Sequence, residues 1–480
     1  MSARPNILLI TADQQRFDTI AALGNRHIHT PHLDWLTEEG IAFTRAYSDA
    51  PVCMPARATI MTGKHGYNAG LTGNRLTAPS PMQRYPTLPA LLTQAGYQTR
   101  AQGKMHFQPM RAHYGFEYVE LPMEYYRECR RHPQNGLPKE HGVGENEMTP
   151  VISTVHELHS LTNWIVRRSI DFLETRDDTR PFFLWTSFTK PHPPWDPCAN
   201  YWALYQNRPV PDPVLGDWSE SVERMPQGYL APTYLLNNAW RMSPEQLRDA
   251  RRAYYACITH IDYQLGLLFA RLREMELLEN TWIFFTTDHG EMLGDHHLGA
   301  KSVFLEGSAH IPLLVRPPST PWGPKPHAGK KADTLVTLAD LLPTLLAIAG
   351  APAPADTDGA DLMSFVDRPD AGREFYGVCD DSYYCLIRGW YKYQWTARGG
   401  EELLFDLKRD PMEQRNLAGT AAAAAVLTDL RGELIRRMTA HQSPHAEDGR
   451  LKPGPAVKGP RDVPRWPGFH TTLAETDVLH

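Results

Sequence analysis

The chain has 480 residues, 42% of them hydrophobic, enough to bury a large core in one big α/β domain with an appendage or in two to three domains. With 22% charged residues and a formal net charge of -6, it lacks the broad positive field that nucleic-acid binding uses. Six cysteines (Cys53, Cys129, Cys198, Cys257, Cys379 and Cys385) lie far apart without paired spacing, which argues against a disulfide framework or a cysteine-rich zinc site.

The first element is the apolar run at residues 6–10, too short for a signal-peptide core or a membrane span, so a cytoplasmic protein without a membrane partner is expected. It reads as a buried strand and ends on Thr11-Ala12-Asp13-Gln14. Cys53 follows in the stretch A-P-V-C-M-P-A-R-A-T-I-M-T-G-K-H, where a bare thiol before a helix would be a small core residue. A helix over residues 88–95 stops at Gly96 and leads into a strand at 97–101, beyond which comes Gly103-Lys104-Met105-His106. On an extended segment Lys104 and His106 point to the same side, so both can face one anion.

Further strands are expected at residues 182–185, 281–285 and 311–315, all continuously apolar as in a sheet covered on both faces. Between them, Ser243-Pro244-Glu245-Gln246 carries the capping signal of a helix running to about Glu274. Tyr254, Cys257, Ile258, Ile261, Leu265, Leu268 and Phe269 recur along it at three- and four-residue steps and give it a core face. A shorter helix, with Asp340 as its cap, spans residues 341–348 and stops at Gly350. Strands alternating with helices define an α/β fold. After about Pro352 the composition shifts, and three short strands at 385–388, 391–395 and 402–406 precede a helix around 421–438, which makes a smaller antiparallel subdomain. The expected division is a catalytic α/β domain over residues 1–370, the subdomain over 371–442 and an extended tail over 443–480.

Two strand-end acids, each followed by a ligand-capable side chain, suggest a divalent cation site: Asp13 with Gln14, and Asp288 with His289 in T-T-D-H-G-E. Adjacent His296 and His297 are left out because neighbouring side chains on an extended segment diverge. Tyr67, Trp195 and Trp218 are taken as packing residues.

Taken together in order, R-P-N-I-L-L-I-T-A-D-Q, C-M-P-A-R-A-T-I-M-T-G-K, G-K-M-H, T-K-P-H-P-P, T-T-D-H-G-E and K-S-V-F-L-E-G-S-A-H-I-P-L resemble the type I sulfatases of the alkaline phosphatase superfamily. The resemblance implies that family's fold: a large mixed, mostly parallel sheet between helices, with a smaller C-terminal antiparallel sheet. It implies hydrolysis of an organic sulfate monoester through a covalent sulfo-enzyme, with Cys53 oxidised to formylglycine by maturation machinery. The hydrated aldehyde offers one hydroxyl to attack sulfur and a second to expel sulfate, which a serine could not do so easily.

By the same resemblance Asp13, Gln14, Asp288, His289 and the side chain at 53 hold one divalent cation, and Arg57 fixes the formylglycine. Lys104 and Lys301 neutralise sulfate, His106 is the base, and His192 acts with Lys301 on the leaving oxygen. Asn74 is a further candidate sulfate donor. Calcium is the expected ion; His289, which replaces an oxygen donor, makes manganese or another transition metal a stronger candidate, and magnesium stays open. Many relatives carry Asp-Asp and Asp-Asn where this chain has Asp13-Gln14 and Asp288-His289. The same variations occur in phosphonate monoester and phosphodiester hydrolases, the first alternative, although those lack the lysine and histidine of G-K-M-H. A relative with an unmodified, non-catalytic Cys53 is the second. The tail resembles those that embrace a neighbouring subunit, so a homo-oligomer is expected. The organic part of the substrate stays open, with residues 120–149 and 193–243 expected to set it.

Overall fold

The computed structural model describes residues 4–75, 79–230, 239–320, 323–325, 327–368 and 372–455. Its main sheet has eight strands: β1 (Asn6–Ala12), β2 (Ile41–Phe43), β3 (Gln98–Gly103), β4 (Tyr118–Glu120), β5 (Phe182–Ser187), β6 (Thr281–Thr287), β7 (Leu313–Arg316) and β8 (Lys330–Ala332). They lie in the order β8-β2-β7-β6-β1-β5-β3-β4. Every neighbouring pair is parallel except the two that β7 makes with β6 and β2.

The unbroken apolar run of β1 follows from its central place. Ile7 and Leu9 enter one core layer with Phe183, Trp185 and Phe284. Leu8 and Ile10 enter the opposite layer with Phe182, Leu184 and Phe285. Helices close both layers. Helix α1 (Cys53–Thr62) and α4 (Leu341–Ala349) pack on the first, while α2 (Leu161–Thr175) and α3 (Pro244–Glu274) pack on the second. The capping box expected for α3 is present: Ser243 Oγ accepts from Gln246 N–H at 3.3 Å, and Gln246 Oε1 accepts from Ser243 N–H at 2.8 Å.

A second sheet of four antiparallel strands, β9 (Glu374–Cys379), β10 (Tyr383–Arg388), β11 (Tyr391–Thr396) and β12 (Glu402–Asp406), follows in simple meander order. Helix α5 (Ala424–Ala440) covers one face through Leu427, Leu430, Leu434 and Met438. The other face shares one apolar cluster with the larger unit, where Phe375 and Phe405 meet Trp218 and Phe304. The expected fold class is therefore the observed one.

Several local expectations change. The strand expected at 311–315 is broken by Pro312, which has no N–H to donate to a ladder. Leu313–Arg316 joins the main sheet, whereas His310–Ile311 pairs with Ala46–Tyr47 in a three-stranded sheet completed by Val336–Thr337. Asp340 stands at the N-cap position of α4 as expected, but its side chain makes no capping hydrogen bond there. It ends the short turn Leu338–Asp340, where its carboxylate accepts from Thr337 N–H at 2.7 Å and Ala360 N–H at 2.8 Å and pairs with Arg373 at 2.9 Å. Strand β9 was not anticipated. The expected arm from Ser443 begins instead as a small hairpin of Ala446–Glu447 with Arg450–Leu451, and residues 456–480 of that arm lie outside the described residues. Among the described residues no helix is long and apolar enough to cross a membrane.

Candidate active site

Four adjacent strands end at one place, the position where open α/β sheets collect ligands. β1 delivers Asp13, β6 delivers Asp288, β5 ends on Ser187 and β3 hands over to Lys104. Gly103 makes the last junction possible. Its φ is +100°, and a Cβ there would lie 2.0 Å from the Ser187 carbonyl oxygen, so only glycine lets these strand ends meet. Lys104 N–H then donates to that carbonyl at 2.9 Å, and Lys104 Nζ reaches Asp13 Oδ2 at 2.5 Å.

Cys53 opens helix α1 beneath this rim and is 1% exposed. Its Sγ lies 3.2 Å from His289 Nε2 and 4.0 Å from Asp13 Oδ1. Because His289 Nδ1 lies 3.0 Å from the Gly290 carbonyl and donates to it, Nε2 is the ring nitrogen that faces the cluster. One donor atom from each of Asp13, Cys53, Asp288 and His289 lies within 4.8 Å of all the others.

Arg57, one helical turn after Cys53 and 0% exposed, ties the two acids together. It donates to Asp288 Oδ2 at 2.9 Å, lies 3.4 Å from Asp13 Oδ2, and also donates to Ser187 Oγ and the Lys104 carbonyl at 2.9 and 2.7 Å. From the other side Lys301 Nζ donates to Gln14 Oε1 at 2.5 Å and to His192 Nε2 at 2.9 Å. Ser302 N–H donates to the Pro51 carbonyl at 2.9 Å, which laces the Lys301 turn to the segment ahead of Cys53.

The charges answer one another. Burial and Asp13 push the Cys53 thiol up, yet Lys104, Lys301 and His289 hold it well below its ordinary value. Burial likewise opposes ionisation of Asp13, and the charges of Lys104 and Arg57 in particular outweigh it to keep the carboxyl well below the usual range. Burial, then Lys301 and Lys104, drive His192 well below the ordinary imidazole value, so it is neutral. His289 moves the other way: burial lowers it, but Asp288 and Cys53 raise it further.

Asp13, Gln14, Cys53, Arg57, Lys104, His192, Asp288, His289 and Lys301 thus form one connected set. His106 follows the end of β3 with a φ of +57°, so the extended segment assumed for Lys104 and His106 is absent. It lines a cavity beside Lys104. Asn74 is exposed, and its Oδ1 accepts the Met54 N–H at 2.9 Å, which places it at the N-terminus of α1. His296 is held by Ser219 and the Met412 carbonyl, in keeping with its omission.

Two buried residues were overlooked. Ser187 accepts from Arg57 and donates to the Lys104 carbonyl; extending the strand read at 182–185 by two residues would have found it at the rim. Glu291, 0% exposed, receives the Gln14 amide; it sits in the quoted T-T-D-H-G-E.

Comparison with known proteins agrees with this geometry. A family model described as "Sulfatase" matches residues 5–351, and one described as "N-sulphoglucosamine sulphohydrolase, C-terminal" matches residues 294–440. The chain is 31% identical to an arylsulfatase of Clostridium perfringens over 94% of this chain and 98% of that protein. It is 30% identical to a choline-sulfatase of Rhizobium meliloti over 87% of this chain and 83% of that one. Among solved structures it resembles a phosphonate monoester hydrolase of Agrobacterium radiobacter with a TM-score of 0.75 and 27% identity, covering 92% of this chain and 97% of the other. With the strand-end acids, the buried cysteine and the paired lysines in place, the chain belongs to the sulfatase family of the alkaline phosphatase superfamily and is a hydrolase of sulfate esters.

Proposed function

We propose that the protein hydrolyses organic sulfate monoesters at a formylglycine made from Cys53, with one divalent cation held by Asp13, Gln14, Asp288, His289 and the side chain at 53. The observation that carries this reading is the close grouping of donor atoms from Asp13, Asp288 and His289 with Cys53, under the charges of two lysines. The donor set suits a cation. Two carboxylates and an amide oxygen are hard ligands, and the Nδ1 hydrogen bond of His289 turns its Nε2 toward them. Oxygen donors suit calcium or magnesium, while the imidazole nitrogen favours manganese.

When present, the cation lowers the pKa of the attacking hydroxyl and withdraws charge from the sulfuryl oxygens, and the formylglycine hydrate supplies that hydroxyl and a second one for sulfate release. The protein's own residues do the rest. Arg57 fixes Asp13 relative to Asp288, and so the nucleophile's surroundings. Lys104 and Lys301 both act on Cys53 through their charge and compensate the three sulfuryl oxygens as charge shifts onto the leaving oxygen, an effect worth roughly 3–4 kcal/mol per donor. Neutral His192 accepts from Lys301 and keeps that ammonium aimed inward. His106 is assigned the base that takes a proton from the second hydroxyl, on its position beside Lys104.

The organic part of the ester has room beyond Lys104 and His106. A cavity of about 650 Å³ opens there, walled by Met105, Phe107, Met110, Met123, Leu137 and Val143. Such walls favour an apolar or aromatic leaving group over a polyhydroxylated one. His141 of the same segment lies 3.3 Å from Asp196, which also pairs with Lys190, so the cavity wall is tied to the loop that carries His192. A formylglycine-forming partner during maturation, a cytoplasmic location and a homo-oligomer complete the proposal.

Mass analysis of the tryptic peptide spanning residues 46–57, with and without an aldehyde-trapping hydrazine, tests the modification in a host able to perform it. An intact thiol throughout, with no turnover, would favour a non-catalytic role. The second reading, phosphonate monoester or phosphodiester hydrolysis, draws on Gln14, His289 and the likeness to the Agrobacterium enzyme. Parallel kcat/KM values on an aryl sulfate and an aryl phosphonate decide between them, and a phosphonate preference would overturn the first.

A further inference from the structure

Gln14 is held at every polar atom. Its backbone has a φ of +69°, its N–H donates to Asp288 Oδ1 at 3.1 Å, and its carbonyl accepts from Tyr254 Oη at 2.6 Å. Its amide is gripped at both ends. Nε2 donates to Glu291 Oε2, and Oε1 accepts from Lys301 Nζ at 2.5 Å. A carboxylate only accepts hydrogen bonds and an ammonium only donates them, so the amide can sit in one orientation alone, nitrogen toward Glu291 and oxygen toward Lys301.

Glu291 does more than this. Its Oε1 accepts from Leu293 N–H at 2.9 Å and from Ala300 N–H at 2.5 Å. The same carboxylate therefore closes the loop from 291 to 300, and Lys301 is the next residue. Leu293, Ala300 and Gln14 account for both oxygens of a side chain that is fully buried.

From these contacts we infer that Glu291 is the positioning residue that turns the Gln14 oxygen toward the cation and sets the Lys301 turn, and that glutamine rather than a carboxylate stands at position 14 because Glu291 faces it. This inference rests on the cation reading for its functional consequence, although not for its geometry. A carboxylate at 14 would keep Lys301 on one oxygen but set its other oxygen against the buried Glu291 carboxylate with no donor between them, a like-charge contact inside the protein. Reversing the pair restores every bond. With Glu291→Gln, the new amide oxygen still accepts from Leu293 and Ala300, and its NH2 group donates to a carboxylate created by Gln14→Glu.

The experiment is a double-mutant cycle on the full chain with Gln14→Glu, Glu291→Gln and the pair combined. Three quantities are read: the melting temperature without added metal, the affinity for calcium and for manganese by calorimetry, and kcat/KM on an aryl sulfate. Each single change is expected to lower the melting temperature and to weaken cation binding about tenfold or more. The combined variant is expected to recover both. If one single variant does not fold, its rescue in the combined protein supports the pairing and its failure to be rescued overturns it. Additive losses, or an unchanged Glu291→Gln protein, overturn it as well. Should the unsubstituted protein bind neither ion, the cation reading falls, and the metal-free melting temperatures still decide whether Glu291 sets Gln14.

Discussion

Lys301 Nζ lies 2.9 Å from His192 Nε2, while His192 Nδ1 lies 2.8 Å from the Pro193 carbonyl and donates to it. The imidazole therefore offers Nε2 as an acceptor and leaves Lys301 as the charged donor of the pair. Its folded-state pKa is depressed by burial and by Lys301 and Lys104, so the neutral form persists well below the ordinary imidazole range. If this pair assists departure of the leaving oxygen, Lys301→Met should cost more with poor leaving groups than with good ones. The expected loss in kcat/KM is about 10²–10³ for phenyl sulfate and smaller for para-nitrophenyl sulfate. A rate loss independent of leaving-group acidity would remove Lys301 from that role.

Arg57 Nε donates to Asp288 Oδ2, and its Nη2 approaches Asp13 from the same side. A chelator should abolish turnover, and calcium or manganese should restore it. Arg57→Ala should impair this restoration as well as the rate, since it leaves two buried carboxylates without their shared cation. Titrating each ion back into the stripped enzyme measures both effects. Full activity in excess chelator would exclude the cation.

At the junction of the two sheets, Lys392 Nζ pairs with Glu306 at 2.7 Å and Glu413 at 2.9 Å, all three buried. Burial, then the Glu306 charge, raise Glu413 from 4.5 to about 7 against the pull of Lys392. Since its folded value exceeds its unfolded one, the folded state binds the extra proton between these limits. The contribution is present in full below about pH 4.5 and is lost as the pH rises through about 7. Glu413→Gln should flatten that slope and raise stability at pH 8 by on the order of 1–3 kcal/mol. Urea unfolding at pH 6 and 8 checks it; an unchanged slope would contradict the assignment.

Asp295 shows the opposite sign. It lies 2.7 Å from Arg16 and also contacts Arg251, with all three buried. Burial opposes its charge, but the two arginines win and hold it at about 2 instead of 3.8. Its contribution is present above about pH 3.8 and disappears as the pH falls through about 2. Asp295→Ala should destabilise the protein by about 3–5 kcal/mol at pH 7, because buried Arg251 loses its counter-charge while Arg16 keeps Asp18 alone. Denaturant midpoints measure this directly.

Much of this was legible because the chemistry is local. A strand that ends on Asp13 or Asp288 announces both its burial and its rim position, and the capping box of α3 fixed that helix within a residue. What stayed hidden depends on contacts far apart in sequence or on backbone turns. Glu291 acquires its meaning from Gln14, 277 residues away. The reversal at His106 and the break at Pro312 are conformational events within a few residues, which periodicity does not resolve. Residues 374–379 form a strand because β10 pairs with them, although Gly377 weakens their local preference.

The bond between Lys392 and Glu306 spans 86 residues. During synthesis the carboxylate near the Lys301 turn thus emerges long before its neutralising partner. A chain released in that interval would hold Glu306 through His310 and Tyr47 but without the ammonium that ties it to the second sheet, so a fragment ending with the large sheet is expected to be insoluble or inert rather than a reduced version of the enzyme.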